Sequence, residues 1–204
     1  MMSLKVAIQM DPPQKINIKK DSTFVLGLEA QKRGYELFYY SPETLTLKNG
    51  LVSAECAPLS FRRKLGDHVT LGESKRTELK EFDLILMRQD YNNPQGYNAI
   101  THILDHASKE TLIFNDPAGT RESPEKILIT YFPEYAPPTL LTRDIEQIRS
   151  FQKEQGDIII KPLNGFGGMD VYHLKDGDTN LQAVLEMLGR LHPDPFVVQR
   201  YIPE

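Results

Sequence analysis

The first forty residues constrain the fold more than any other stretch. Leu4 to Met10 form an apolar run broken only by Lys5 and Gln9, which suits a strand covered on both faces. Asp11-Pro12-Pro13 stops it, and a polar loop runs to Lys20. Asp21 or Ser22 can cap a helix in which Phe24, Val25, Leu28 and Ala30 recur at helical spacing. Gly34 closes that helix, and Tyr35 to Tyr40 (YELFYY) reads as a second strand. Strand, helix and strand in such close succession form a βαβ unit. Its two strands must be parallel, so the chain is committed to an α/β sheet.

Asn49-Gly50 lies between LTLK and LVSA, a strong hairpin signal. Residues 62–81 are rich in charge and poor in apolar anchors, and are expected to be an exposed, mobile connection. Within them Lys75, Arg76 and Lys80 alternate with Glu73, Glu78 and Glu81 as a solvated face. Phe82 to Met87 (FDLILM) predicts a buried strand, with Arg88-Gln89-Asp90 at its C-terminal end. Ala99, Ile100, Ile103, Leu104 and Ala107 predict a helix over 97–108. Thr111 to Asn115 predicts one more strand, ended by Asp116-Pro117.

The second half changes character. Ser123-Pro124-Glu125 predicts a short helix with serine as cap and proline in its first turn. Ala136-Pro137-Pro138-Thr139 reads as an extended linker, and Thr142 or Asp144 opens a helix through Ile145, Ile148 and Phe151. A strand (Asp157 to Lys161) follows, then a glycine-rich loop (Pro162 to Gly168) and a strand (Val171 to Leu174). A turn at Lys175-Asp176-Gly177-Asp178, a helix over 180–191 and a strand from Pro195 to Tyr201 complete the chain. The expected fold class is therefore α/β. An N-terminal domain with an open, mainly parallel sheet (1–122) precedes a smaller α+β unit (123–204).

Composition excludes several classes. A 40% hydrophobic content in 204 residues can fill a real core, which rules out disorder of the whole chain. Twenty-four basic against 28 acidic residues leave −4, which argues against nucleic acid as a partner. A single cysteine, Cys56, rules out an internal disulfide framework and a cysteine-rich zinc site. It reads as a reduced thiol or a small buried hydrophobe, and not as a nucleophile. No run approaches the ~18 consecutive apolar residues of a membrane span. MMSLKVAIQM reads as a first strand and not as a signal peptide, so the expected compartment is the cytoplasm, with no membrane partner. His102 and His106 share one helix face but lack a third ligand or an H-E-x-x-H pattern, and read as solvated.

The strongest site signal is IIIKPLNGFGG at 158–168. A buried strand delivers Lys161 directly into a loop holding Gly165, Gly167 and Gly168. Such a loop lets backbone N–H groups approach phosphate oxygens, with a lysine charge beside them. The spacing matches neither a P-loop nor a dinucleotide fingerprint, and a glycine-rich hairpin turn is the competing reading. Lys126 alone reads as a helix-surface lysine. The end of the last strand, Gln199 to Ile202, offers backbone groups able to read an adenine edge, or simply leaves the core.

Together these elements resemble the ATP-grasp enzymes, and more closely the prokaryotic glutathione synthetases. The resemblance rests on MDP…INIKKDSTF…EAQKRGYEL, LILMRQD, SPEKI and IIIKPLNGFGG, and extends along nearly the whole chain. It implies a pre-ATP-grasp substrate domain over 1–122 and a first ATP-grasp subdomain, a lid over the nucleotide, over 123–204. Lys126 and Lys161 would lie on the ATP phosphates, with Gly165, Phe166, Gly167 and Gly168 as the closing loop. Gln199, Arg200, Tyr201 and Ile202 would line the adenine pocket. Asp11, Asn17, Arg88 and Asp90 are candidates for the peptide substrate, with capping and mutual pairing as the competing reading. The implied reaction joins γ-glutamylcysteine to glycine through an acyl phosphate, using ATP and Mg²⁺ (or Mn²⁺), in a homo-oligomer (dimer or tetramer).

The resemblance also carries departures. The family extends past Glu204, and the remainder would hold the magnesium ligands and most of the dipeptide-binding arginines. No catalytic or metal-binding residue is therefore assigned in these 204 residues, which read as an incomplete, inactive piece with its last strand left short of neighbours. Gln89 stands where lysine is expected. Another ATP-grasp carboxylate-amine ligase, a non-catalytic nucleotide-binding module, and a flavodoxin-like domain over 1–120 with an accessory remainder are the alternatives.

Overall fold

The computed structural model describes residues 3–90, 94–165 and 167–203. The chain divides into two units, Met1–Glu122 and Ser123–Glu204.

In the first unit, β1 (Lys5–Gln9) leads to α1 (Ser22–Lys32) and β2 (Glu36–Tyr40). Then come β3 (Thr46–Lys48), β4 (Leu51–Phe61), β5 (Val69–Leu71), β6 (Lys75–Glu78), β7 (Leu84–Met87), α2 (Pro94–Ala107), β8 (Leu112–Phe114) and α3 (Pro117–Glu122). The sheet runs β3-β4-β2-β1-β7-β8, with β5 and β6 also on β4. Its β2-β1-β7-β8 portion is parallel. Helices cover both faces. Phe24 of α1 packs with Val6, Ile8, Leu37 and Phe61, while Leu104 and Ala107 of α2 pack with Ala7, Tyr40 and Ile85. Because β2 and β7 flank β1 on opposite sides, the chain reverses its winding at β1. That opens a crevice beyond the carboxyl ends of β1 and β7.

Local signals account for the connections. The Asp21 carboxylate accepts from the N–H of Phe24 at 2.8 Å and caps α1. Asn49 (φ 52°) and Gly50 (φ 84°) both take the positive φ that a two-residue hairpin turn requires. Two expectations differ from the structure. Residues 62–81 are not a loose connection, because β5 pairs with Leu59–Phe61 and β6 with Ser53–Cys56. Thr77 and Leu79 are buried there, while Lys75 and Arg76 of β6 stay exposed. In α1, Val25 is 48% exposed, since Thr23, Phe24 and Gly27 form the inward face. Cys56, in contrast, is the small buried hydrophobe expected, within β4 and 1% exposed.

The second unit holds α4 (Glu125–Leu128), β9 (Thr139–Thr142), α5 (Ile145–Gln155), β10 (Ile158–Pro162), β11 (Tyr172–Leu174), α6 (Leu181–Leu191) and β12 (Phe196–Arg200). Its antiparallel sheet has the order β11-β10-β12-β9. One face carries Ile158, Ile160, Leu174, Phe196 and Val198 against Ile148 of α5 and Leu185 and Leu188 of α6. The last strand does not lack neighbours as expected. It is an inner strand between β10 and β9, and Phe196, Val197 and Val198 are buried. Thr139 belongs to β9 and not to a linker. Pro124, with no side-chain cap, is the residue before α4, so Ser123 does not cap it. Among the described residues no helix is long and apolar enough to cross a membrane.

Candidate functional site

Strand alternation sorts the second unit's residues. Since Ile158 and Ile160 point to the helices, Ile159 and Lys161 point to the opposite face. The register puts His173 and Gln199 beside Ile159, Val197 beside Lys161, and Thr139 beside Gln199 on that face. Gln199 donates through Nε2 to Thr139 Oγ1 at 3.0 Å. The chain leaves β10 after Lys161-Pro162 and enters the glycine loop at the edge of this face. Gly167 (φ 61°) and Gly168 (φ 77°) take backbone conformations that a side chain would strain.

Lys126 does not behave as a surface lysine. Its Nζ donates to the carbonyl oxygens of Pro162 (2.7 Å) and Gly165 (2.8 Å), tying α4 to the loop. A methyl group on Gly165 would stand 3.5 Å from that ammonium, so the glycine marks where lysine and backbone meet. Burial pushes the Lys126 ammonium below its ordinary pKa. Glu125 opposes the shift, and the nearby Lys161 charge adds to it. A cation bonded to the loop and a second at the strand end leading into it, close enough for their charges to interact, form a donor set suited to a polyanion such as a triphosphate.

At the other end of β12, the N–H groups of Arg200 and Tyr201 are engaged by the carbonyls of Pro138 (3.0 Å) and Asp157 (2.9 Å). Those two N–H groups are therefore not available to an adenine edge. Tyr201 stacks on His173 with ring centroids 4.0 Å apart, and Ile202 is 63% exposed. His173 Nε2 lies 3.0 Å from Asp157 Oδ2. The Asp157 carboxyl is held below its usual range, first by the N–H of Asp176 and then by His173. Phe166, expected in the loop, lies outside the described residues.

In the first unit the structure brings Asp11, Arg88 and Asp90 together in the crevice beyond β1 and β7, with Lys20 and Asp21 on its wall. Asp11 Oδ2 accepts from the N–H of Asp90 at 2.8 Å, which joins the two strand ends. Arg88 donates to Thr23 Oγ1 (3.1 Å) and Ser22 Oγ (2.8 Å) in the first turn of α1. Asn17 is not on the wall. Its side chain accepts from the N–H of Lys19 at 3.1 Å and shapes the turn before α1. Lys20, Thr139 and His173 were missed by sequence reasoning. Only the register and the strand ends reveal them. Among the described residues no group of three or more His, Cys, Asp or Glu side chains could hold a metal ion.

Comparison with known proteins bears on both units. The family model for "Prokaryotic glutathione synthetase, N-terminal domain" matches residues 4–121, and that for "Prokaryotic glutathione synthetase, ATP-grasp domain" matches 125–204. The chain belongs to the prokaryotic glutathione synthetase family. Glutathione synthetases of Brucella melitensis and Mesorhizobium japonicum are 50% and 46% identical over 203 residues. These alignments cover 100% of this chain and 65% of each relative, so the chain spans less than two thirds of their length. Among solved structures, a D-cycloserine synthetase superposes with TM-score 0.64 at 13% identity, covering 97% of this chain and 59% of that one. An ATP-grasp RimK domain protein from Sphaerobacter thermophilus superposes with TM-score 0.60 at 20% identity, covering 98% and 64%. These two likenesses show a shared fold, and the ATP-grasp domain of this glutathione synthetase family member rests on the family model over 125–204.

Proposed function

We propose that the chain supplies the phosphate clamp and the dipeptide crevice of a glutathione synthetase, an ATP-dependent carboxylate-amine ligase acting on γ-glutamylcysteine and glycine. The observation that carries this reading is the docking of Lys126 onto the carbonyls of Pro162 and Gly165, beside Lys161. Bound ATP supplies the phosphoryl group that activates the dipeptide carboxylate, which the glycine amine then attacks.

The residues of this chain orient and neutralise. Lys126 and Lys161 offset phosphate charge, and two of the three ammonium donors of Lys126 also hold the loop in place. Gly165, Gly167 and Gly168 let the backbone approach the phosphates closely. Gln199 to Ile202 and the His173–Tyr201 stack border the end of the open face expected to take adenine. The crevice mixes Asp11, Asp21 and Asp90 with Lys20 and Arg88. That alternation of sign suits a substrate carrying both an ammonium and a carboxylate, as a γ-glutamyl peptide does. Among the described residues no cluster of three or more carboxylate or histidine side chains is preformed for a metal ion, so Mg²⁺ enters this reading only with the nucleotide phosphates. Two solved structures of a similar ATP-grasp ligase carry Mg and ADP. The family reading also carries homo-oligomeric assembly and a cytoplasmic setting, the latter consistent with a lone buried thiol.

The test is ADP release with MgATP, γ-glutamylcysteine and glycine. It would be run on this chain and on a protein of the full family length containing it. Turnover that requires both substrates is expected in the longer protein. Absence of turnover in both would overturn the assignment.

A further inference from the structure

The glycine loop is held at both shoulders by the connection between α6 and β12. Asn164, just before Gly165, donates through Nδ2 to Asp194 Oδ2 at 2.7 Å. Asp170, just after the loop, lies 2.9 Å from His192 Nε2 through its Oδ2. Asp170 also sits at φ 55°, a left-handed conformation that asparagine and aspartate tolerate better than most residues. His192 and Asp194 are two residues apart in the connection between α6 and β12.

That connection is itself braced. The N–H of His192 bonds to Leu188 O at 2.9 Å and closes α6. Arg143 donates to Pro193 O and, at 3.2 Å, to Gly189 O, placing a cation at the helix C-terminus. Leu188 is fully buried in the core of the unit, so the bracing reaches rigid packing. Backbone pairing adds the N–H of Leu163 on Pro195 O at 3.3 Å.

We propose that His192 and Asp194 are positioning residues for the phosphate loop. By gripping Asp170 and Asn164 they fix the backbone on either side of Gly165, Gly167 and Gly168, the glycines that meet the nucleotide phosphates in the reading above. This rests on the nucleotide reading above. Lys126 holds the carbonyls of Pro162 and Gly165, while His192 and Asp194 hold the side chains of Asp170 and Asn164. Loss of either grip leaves the fold intact and lets one shoulder of the loop swing.

The experiment uses the full chain and its His192→Ala and Asp194→Ala variants, with His192→Gln and Asp194→Asn as conservative partners. Amide hydrogen exchange over 163–170, measured without nucleotide, is expected to rise several-fold in the alanine variants. It should stay near wild type in the conservative ones, which can still donate to Asp170 or accept from Asn164. MgATP binding is expected to weaken about tenfold in the alanine variants, while adenosine binding changes by less than about twofold. A merely structural role would weaken both ligands together, and that result overturns the proposal. Unchanged loop exchange in the alanine variants, with wild-type nucleotide binding, overturns it as well. Failure of the wild-type chain to bind MgATP overturns the nucleotide reading instead, and with it the purpose of the grip, even where loop exchange responds.

Discussion

The ammonium of Lys126 reaches the carbonyl oxygen of Gly165, 39 residues further along the chain, at 2.8 Å. One bond therefore joins a four-residue helix to the loop after β10. It converts an ordinary-looking lysine into part of the loop's architecture. Lys126→Ala removes donors from two carbonyls and one of the two cations. MgATP affinity is expected to fall by tenfold or more, read by calorimetry.

The same lysine makes stability depend on alkaline pH. Its folded pKa lies below the ordinary value of 10.5, so between the two values the unfolded chain binds the extra proton. Stability contributed by this group therefore rises as pH climbs through that window. Urea midpoints at two pH values within it should show a smaller alkaline gain, or a larger loss, in Lys126→Ala than in wild type.

Arg88→Ala tells the two proposed sites apart by kinetics. The Arg88 guanidinium is held by Ser22 and Thr23 at the crevice. In the protein of full family length, Arg88→Ala is expected to raise KM for γ-glutamylcysteine about tenfold or more and to leave KM for MgATP within about twofold. Equal effects on both substrates would contradict the assignment.

Gly27 and Gly189 should respond oppositely to alanine. A Cβ at Gly27 would meet Phe61 Cδ2 at 2.5 Å, where α1 lies on β4, so Gly27→Ala should destabilise by about 1–3 kcal/mol. A Cβ at Gly189 in α6 meets nothing within 4 Å, and Gly189→Ala should stabilise by about 0.5–1 kcal/mol. Chemical denaturation of both variants tests the pair.

Cys56 should be inert while the protein is folded. Burial pushes its thiol up to about 12. A disulfide reagent at pH 8 is expected to label it only at the rate of unfolding, and rapidly in urea. From the ordinary value of 9.0 up to about 12 the folded state keeps the proton that the unfolded state loses. This group's contribution to stability therefore falls as pH rises through that range.

Much of the fold was legible along the chain because its signals are local. The apolar run at 4–10, the Asp21 cap, the Asn49-Gly50 turn and the Asp144 cap each act within a few residues. They mark elements wherever those elements end up. The charged stretch 62–81 was misread because β5 and β6 are stabilised by pairing with β4 and not by their own composition. Lys126 looked like a surface residue for the same reason, since its partners lie 36 and 39 positions away.

The sequence by itself determined an α/β chain with a parallel first sheet, a lysine running into a glycine loop, and polar residues at the ends of two inner strands. Periodicity and chain breakers encode such features at short range. Only the tertiary structure decided that β12 is an inner strand and that Lys161, Gln199 and His173 share one sheet face. It also decided that Asp11 meets Asp90 at the crevice, and that His192 and Asp194 grip the loop. Those relationships depend on register and packing between distant segments, which are set by the combined burial of many side chains and not by any local pattern.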